Sequence, residues 1–256
     1  DHVLFTAYRT PLDRATIEVL SIKTGRRKVL YTGGAYGFYV PTGHLLFAAG
    51  ETIRAAPFDL EHLAVTGPAL PVVDSVGLNP TDGGAAFDVS DNGTLAYLPL
   101  SSYVSDNDLV LVDRKGNETR ALPGSDRYDH PRLSPDGSHI SVDIRSASSA
   151  GDVWVFPLGR AAGTRVTSEG GRDFGAEWTP DGRELIYSSE HPTYDLYRQA
   201  ADASRPPEPL VTGGFDRYTG RVSADGRLFV FVLSATNRGS ELWTVPLKGG
   251  STRACI

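Results

Sequence analysis

The sequence predicts an all-β chain, a six-bladed β-propeller of four-stranded antiparallel blades whose first blade lacks its innermost strand. Three observations predict it. A tight-turn string recurs at a blade-sized interval, the runs between turns read as short strands, and 28 glycines with 17 prolines are too many for a helical bundle and lack a collagen period.

The turn string appears as Ser90-Asp91-Asn92-Gly93, Ser134-Pro135-Asp136-Gly137, Thr179-Pro180-Asp181-Gly182 and Ser223-Ala224-Asp225-Gly226, with glycine-to-glycine steps of 44, 45 and 44. A weaker copy, Val40-Pro41-Thr42-Gly43, lies 50 residues before Gly93. Proline presets φ at the second position, Asp or Asn tolerates the third, and glycine supplies the positive φ that closes a hairpin. Each turn joins a first strand to a second (residues 95–98, 140–142, 185–187 and 228–233). A third run follows (109–112, 153–156, 195–198 and 242–245), then a short fourth. Four strands per ~44 residues is the unit of a propeller blade, and the length accommodates about six.

Blades are expected at 1–34, 35–83, 84–127, 128–171, 172–214 and 215–256, forming one domain. The first starts at its second strand, so either residues upstream of Asp1 supply the missing one or the blade is three-stranded. The absence of any methionine also suggests a piece of a longer chain.

Composition narrows the function classes. With 25 basic and 31 acidic residues, a net charge of −6 and no basic run, a nucleic-acid partner is not expected. No apolar stretch approaches the ~20 residues of a membrane span, and the first residues lack the pattern of a secretory signal. Cys255 is the sole cysteine, which excludes an intrachain disulfide or a CxxC motif.

The turn strings, the strand endings Leu133-Ser134-Pro135-Asp136-Gly137 and Trp178-Thr179-Pro180-Asp181-Gly182, and the third strand Asp152-Val153-Trp154-Val155-Phe156 resemble the TolB-like propeller repeat of bacteria. More narrowly, residues 39–48, 56–60, 65–68 and 87–95 resemble the propeller attached to bacterial receptor-type serine/threonine protein kinases. That resemblance implies an extracytoplasmic sensor or interaction module, periplasmic or at the cell surface, whose kinase half lies elsewhere. This chain carries no Gly-rich nucleotide loop and no HRD or DFG string. The repeat also resembles the propeller of prolyl-oligopeptidase-type enzymes, but no GxSxG elbow is present. The chain is therefore read as a non-enzymatic binding module with no cofactor. Its partner is a small polar ligand, protein or peptide of unknown identity.

Two sets of residues are candidates. Five positions before each turn glycine stand Phe38, Asp88, Arg132, Glu177 and Arg221. Innermost strands face the channel, so the alternating charges Asp88, Arg132, Glu177 and Arg221 read as an inter-blade salt-bridge ring, or as a polar channel that binds a small anion or metal. The second set lies in the loops entering three first strands: Arg127, Tyr128, Asp129 and His130 after Asp126; Arg172, Asp173 and Phe174; Asp216, Arg217 and Tyr218. Arg, Asp and an aromatic recur there, which suits a polar ligand or peptide end at one mouth of the channel. The alternative is that Arg and Asp pair within each loop while the ring caps the core.

The histidines give no catalytic pattern. His44 and His139 begin strands, His2, His62 and His191 look like surface residues, and His130 has Asp129 beside it on the opposite face of a strand. Asp106-Asn107-Asp108 lacks calcium-loop spacing, so no metal site is assigned. Trp154, Trp178 and Trp243 occupy repeat positions and read as core. The rival function is a metal-dependent propeller hydrolase of lactonase or esterase type, for which Asp88 and Glu177 are the obvious axial carboxylates. A structural assembly partner would instead show a wide apolar face.

Overall fold

A computed structural model describes residues 2–7, 14–77, 85–90, 93–99, 106, 108–146, 149–168, 171–190, 193–223, 225–235 and 239–255. Asp91, Asn92, Asn107, His191 and Ala224 lie outside the described residues. The chain divides into two compact units, residues 1–119 and 120–256. Among the described residues there is no α-helix, and no helix is long and apolar enough to cross a membrane.

Six antiparallel sheets follow one another, each a propeller blade. The first has three strands, β1 (His2–Ala7), β2 (Thr16–Ser21) and β3 (Arg27–Thr32), as expected from its missing innermost strand. The second holds β4 (Ala35–Val40), β5 (His44–Ala49) and β6 (Thr52–Asp59), and its outer position is divided. There β7 (Ala64–Val65) pairs with the end of β6, and β8 (Leu70–Val73) with its start. The third is β9 (Phe87–Val89), β10 (Leu95–Tyr97), β11 (Val110–Val112) and β12 (Glu118–Arg120), which straddles the unit boundary. In the carboxy-terminal unit the fourth blade is β13 (Tyr128–Leu133), β14 (His139–Ser146), β15 (Ser149–Pro157) and β16 (Thr164–Arg165). The fifth is β17 (Asp173–Trp178), β18 (Glu184–Glu190), β19 (Tyr194–Ala200) and β20 (Glu208–Val211). The sixth is β21 (Asp216–Val222), β22 (Leu228–Ala235), β23 (Gly239–Pro246) and β24 (Arg253–Ala254).

The recurrent string forms the predicted turn. The amide of each turn glycine donates to the carbonyl three residues back, at 2.8 Å for Gly93, Gly137, Gly182 and Gly226 and at 3.0 Å for Gly43. Positive φ, from 67° to 86°, is what makes glycine necessary there. Asp136, Asp181 and Asp225 lock three of these turns by accepting from the preceding Ser or Thr hydroxyl at 2.6, 2.7 and 2.6 Å. Those bonds stabilise the ionised carboxylate and pull the Asp136 pKa down to about 2.

The core lies between adjacent sheets. Phe47, Leu45 and Ile17 pack blade one on blade two, Phe87 and Ile53 blade two on blade three, Trp178 and Val153 blade four on blade five, and Phe229, Phe231 and Ile186 blade five on blade six. Trp178 is buried and spans its junction, its Nε1 donating to the Arg132 carbonyl at 3.1 Å. Trp154 and Trp243, on the third strands, are only half-buried, whereas Val153, Val155 and Val245 of the same strands are buried.

Four innermost strands share a β-bulge. The register shifts between Ala35 and Phe38, Asp129 and Arg132, Phe174 and Glu177, and Tyr218 and Arg221. The residue after the first of each pair is left-handed in three cases: Tyr36 (φ 55°), His130 (φ 44°) and Gly175 (φ 67°). At three bulges its amide, freed from the ladder, donates to a polar side chain on the second strand of the preceding blade. Tyr36 N reaches Thr6 Oγ1 (2.8 Å), Gly175 N reaches Asp143 Oδ2 (2.9 Å) and Thr219 N reaches Ser188 Oγ (3.0 Å).

Candidate functional site

The bulges extend the innermost strands further than the sequence suggests. Tyr128 to His130, Asp173, Phe174 and Asp216 to Tyr218, expected in entry loops, are strand residues, because a bulge absorbs the irregularity without ending the ladder.

The arginines separate. Arg127 is exposed and Arg172 half-buried, and both stand two residues before the start of the bulge. Arg217 stands one residue before it, and successive strand residues face opposite ways. Arg217 is accordingly buried, donating to Asp195 Oδ1 at 2.9 Å and to the carbonyls of Phe215 at 2.6 Å and Gly213 at 3.3 Å. It ties blade six to blade five rather than opening on a mouth. Tyr128 and Asp173 are likewise buried, and Asp216 Oδ1 accepts from the Tyr194 amide at 3.1 Å.

What gathers at this end of the carboxy-terminal unit is an aromatic cluster with two cations. Phe174 meets Tyr194 edge-on (centroids 5.2 Å apart) and Tyr218 at 6.3 Å, and the two tyrosines lie 5.7 Å apart. The Arg172 guanidinium sits 4.7 Å from the Phe174 centroid and has no ion pair among the described residues. The His130 ring lies 5.9 Å from the same centroid.

His130 pairs with a residue on the neighbouring strand rather than with Asp129. Its Nδ1 lies 2.6 Å from Asp143 Oδ2, while Asp129 Oδ1 is 3.7 Å away and Asp129 Oδ2 accepts from Arg145 at 2.6 Å. Asp143 Oδ1 is buried with no hydrogen-bond partner among the described residues. Burial works against a charged imidazole, but Asp129 and Asp143 outweigh it and hold His130 above the ordinary histidine value. Burial pushes Asp143 above the usual carboxylate range, opposed by His130. With Nδ1 committed to Asp143, Nε2 is the nitrogen left to meet a ligand, and it donates when the ring is charged.

The charges on the innermost strands form a ladder. Glu177 Oε2 lies 3.0 Å from Arg221 Nη1 and 3.4 Å from Arg132 Nε, and Glu177 Oε1 lies 3.4 Å from Arg221 Nη1. Arg132 and Glu177 are buried, as is Asp88 in the amino-terminal unit. Phe38 packs on Phe87 at 5.1 Å. Tyr194, Asp195, Asp143 and Arg145 escaped sequence reading. Their signal was register alone: each stands on a second or third strand beside a first-strand candidate.

No protein-family profile matches the chain. Solved structures do. A TolB structure from Agrobacterium tumefaciens superposes with a TM-score of 0.77 at 18% identity, over 95% of this chain and 88% of that one. TolB from Acinetobacter baumannii gives 0.75 at 16% identity, over 98% of this chain and 65% of that one. The β-propeller domain of the Trilobed protease from Pyrococcus furiosus gives 0.61 at 13% identity, over 100% of this chain and 78% of that one. Identities this low speak to fold alone. In fold, this chain is a TolB-like, six-bladed β-propeller.

Proposed function

We propose that the chain is a ligand- or protein-binding module whose recognition face is the bulge end of blades four to six, and that it serves as the extracytoplasmic sensor or interaction part of a larger bacterial protein such as a receptor-type Ser/Thr kinase. One observation carries the binding assignment: the Arg172 guanidinium, without an ion pair among the described residues, rests on Phe174 beside Tyr194, Tyr218 and the His130 imidazole. A cation on an aromatic platform recognises a polar or anionic group through charge and excludes water through the rings. The strands beneath are rigid, so binding needs little backbone movement. Arg127, Asp129 and Asp216 border this face, and the Arg132, Glu177 and Arg221 ladder lines the axis beneath it.

The hydrolase alternative would use Glu177 as an axial metal ligand. Its carboxylate is engaged by Arg132 and Arg221, and two guanidinium groups repel a cation.

The test is a library of short peptides with free carboxyl ends, presented to the wild-type protein and to Arg172→Ala and Phe174→Ala. Hits are expected to weaken about tenfold or more in both variants, the loss of one anchoring contact. A library without hits, or hits indifferent to both substitutions, would overturn the assignment.

A further inference from the structure

A groove of about 440 Å³ opens between blades four and five at the other end of β17, beside Trp178 and Gly182. Its floor is apolar: Val155, Trp178, Ala200 and Ala201. Arg183 and Arg205 stand on its rim. The next junction, between blades five and six, shows how the molecule fills the same space.

Correspondence between the junctions follows from register. Four residues past the turn glycine, Ser141 faces Val155 and Ile186 faces Arg198 across the second and third strands, so Val155 and Arg198 are equivalent. Leu158, Ala201 and Leu247 are equivalent too, since each donates its amide to the carbonyl of the residue after the turn glycine, Ser138, Arg183 and Arg227 respectively. At the filled junction Arg198 reaches across to donate to the Leu247 carbonyl at 3.2 Å. At the open one a short Val155 replaces that arginine, and Ala201 stands where both other blades carry leucine. Arginine 183 differs from its counterpart as well. Arg227 folds onto its turn aspartate, with Nε 2.6 Å from Asp225 Oδ2, whereas the Arg183 guanidinium has no ion pair or hydrogen bond among the described residues. Arg205 is held by Glu184 at 2.6 Å, and the Asp202 carboxylate by Ser204. Arg183 is therefore the rim charge left for a ligand.

We infer that this groove binds a small amphipathic monoanion, a hydrocarbon body with one carboxylate, the body lying on Val155, Trp178 and Ala201 and the carboxylate meeting Arg183. The volume falls within the range of small-molecule sites, and an apolar floor with one orienting charge is their usual composition. This site is separate from the proposed recognition face.

Octanoate is the probe, titrated to about 10 mM and followed by the indole N–H resonance of Trp178 and the Nε–H resonance of Arg183. Both resonances are expected to shift saturably. Octylammonium and 1-octanol are expected to bind at least about tenfold more weakly, the worth of one charge-assisted contact. Arg183→Gln is expected to erase that preference for the acid. The double variant V155R/A201L brings the arginine and leucine of the filled junction into the groove, where Trp178 stands in place of that junction's Val222. It is expected to fold with an unchanged or higher melting temperature and to lose octanoate binding. Absence of a saturable shift, equal binding of octanol or octylammonium, or full binding by a folded V155R/A201L protein would each overturn the inference.

Discussion

Blade two and blades four to six begin from one backbone plan and glue it with different chemistry. In the amino-terminal unit the position five residues before the turn glycine of blade two is Phe38, which joins Tyr36 and Phe87 in a three-ring cluster with centroids 5.0, 5.1 and 5.4 Å apart. In the carboxy-terminal unit the same position is successively Arg132, Glu177 and Arg221, joined as ion pairs. A bulge precedes every one of these residues. The difference teaches that the bulge sets where an inner side chain points and leaves open what holds it. Rings hold through buried area and tolerate one another. Charges hold only as a set.

Truncation separates the two kinds of glue. Phe87→Ala removes a fully buried ring from the centre of the aromatic cluster and is expected to cost about 3–5 kcal/mol of unfolding free energy by denaturant titration. A loss under about 1 kcal/mol would mean that the rings contribute little. Glu177→Ala removes the carboxylate that Arg132 and Arg221 share, and the expected cost is about 3 kcal/mol, reduced by solvent at the partly exposed Arg221. Replacing Arg132 with Met and Glu177 with Leu together is expected to restore stability to within about 1 kcal/mol of wild type, because the buried pair is then apolar and Arg221, which loses Glu177, is partly exposed to water. If the double replacement is no better than Glu177→Ala, the charged ladder is not a set.

The smallest effect concerns His130. Its folded-state pKa is raised by Asp129 and Asp143, so its contribution is complete below the ordinary value of 6.5 and disappears as pH rises through the folded value. Unfolding midpoints measured between about pH 5 and 9 are expected to fall with pH more steeply in the wild type than in His130→Gln. Parallel curves would detach the imidazole from its carboxylates.

Turn chemistry is local, so the sequence announces it. A Ser-Pro-Asp-Gly string specifies its own hydrogen bonds within a few residues, and its spacing carried the blade count with it. The Arg132, Glu177 and Arg221 series was legible for the same reason, each lying a fixed distance from its glycine. The bulge was not, since it depends on an amide finding Thr6, Asp143 or Ser188 in another blade. Arg217 faces the other way from Arg127 and Arg172 because it stands nine residues before its turn glycine and they stand ten before theirs, one step along an alternating strand. Asp143 and Tyr194 were hidden because they meet His130 and Phe174 only through pairing and packing between strands. The groove is a lack of bulk at Val155 and Ala201, visible only once the third strands of three blades are set in register.

Three of the four amides freed by the bulges reach backwards, from a later blade to a side chain of the one before it, and the fourth, of His130, donates to the adjacent Asp129 carboxylate. Other contacts run forward: the Ser188 hydroxyl donates to the Arg217 carbonyl at 3.0 Å and Arg198 to the Leu247 carbonyl at 3.2 Å, so a blade also takes partners from the one made after it. Loss of the Ser188 hydroxyl would therefore loosen the seam between blades five and six from both sides, since it accepts from the Thr219 amide and donates to the Arg217 carbonyl.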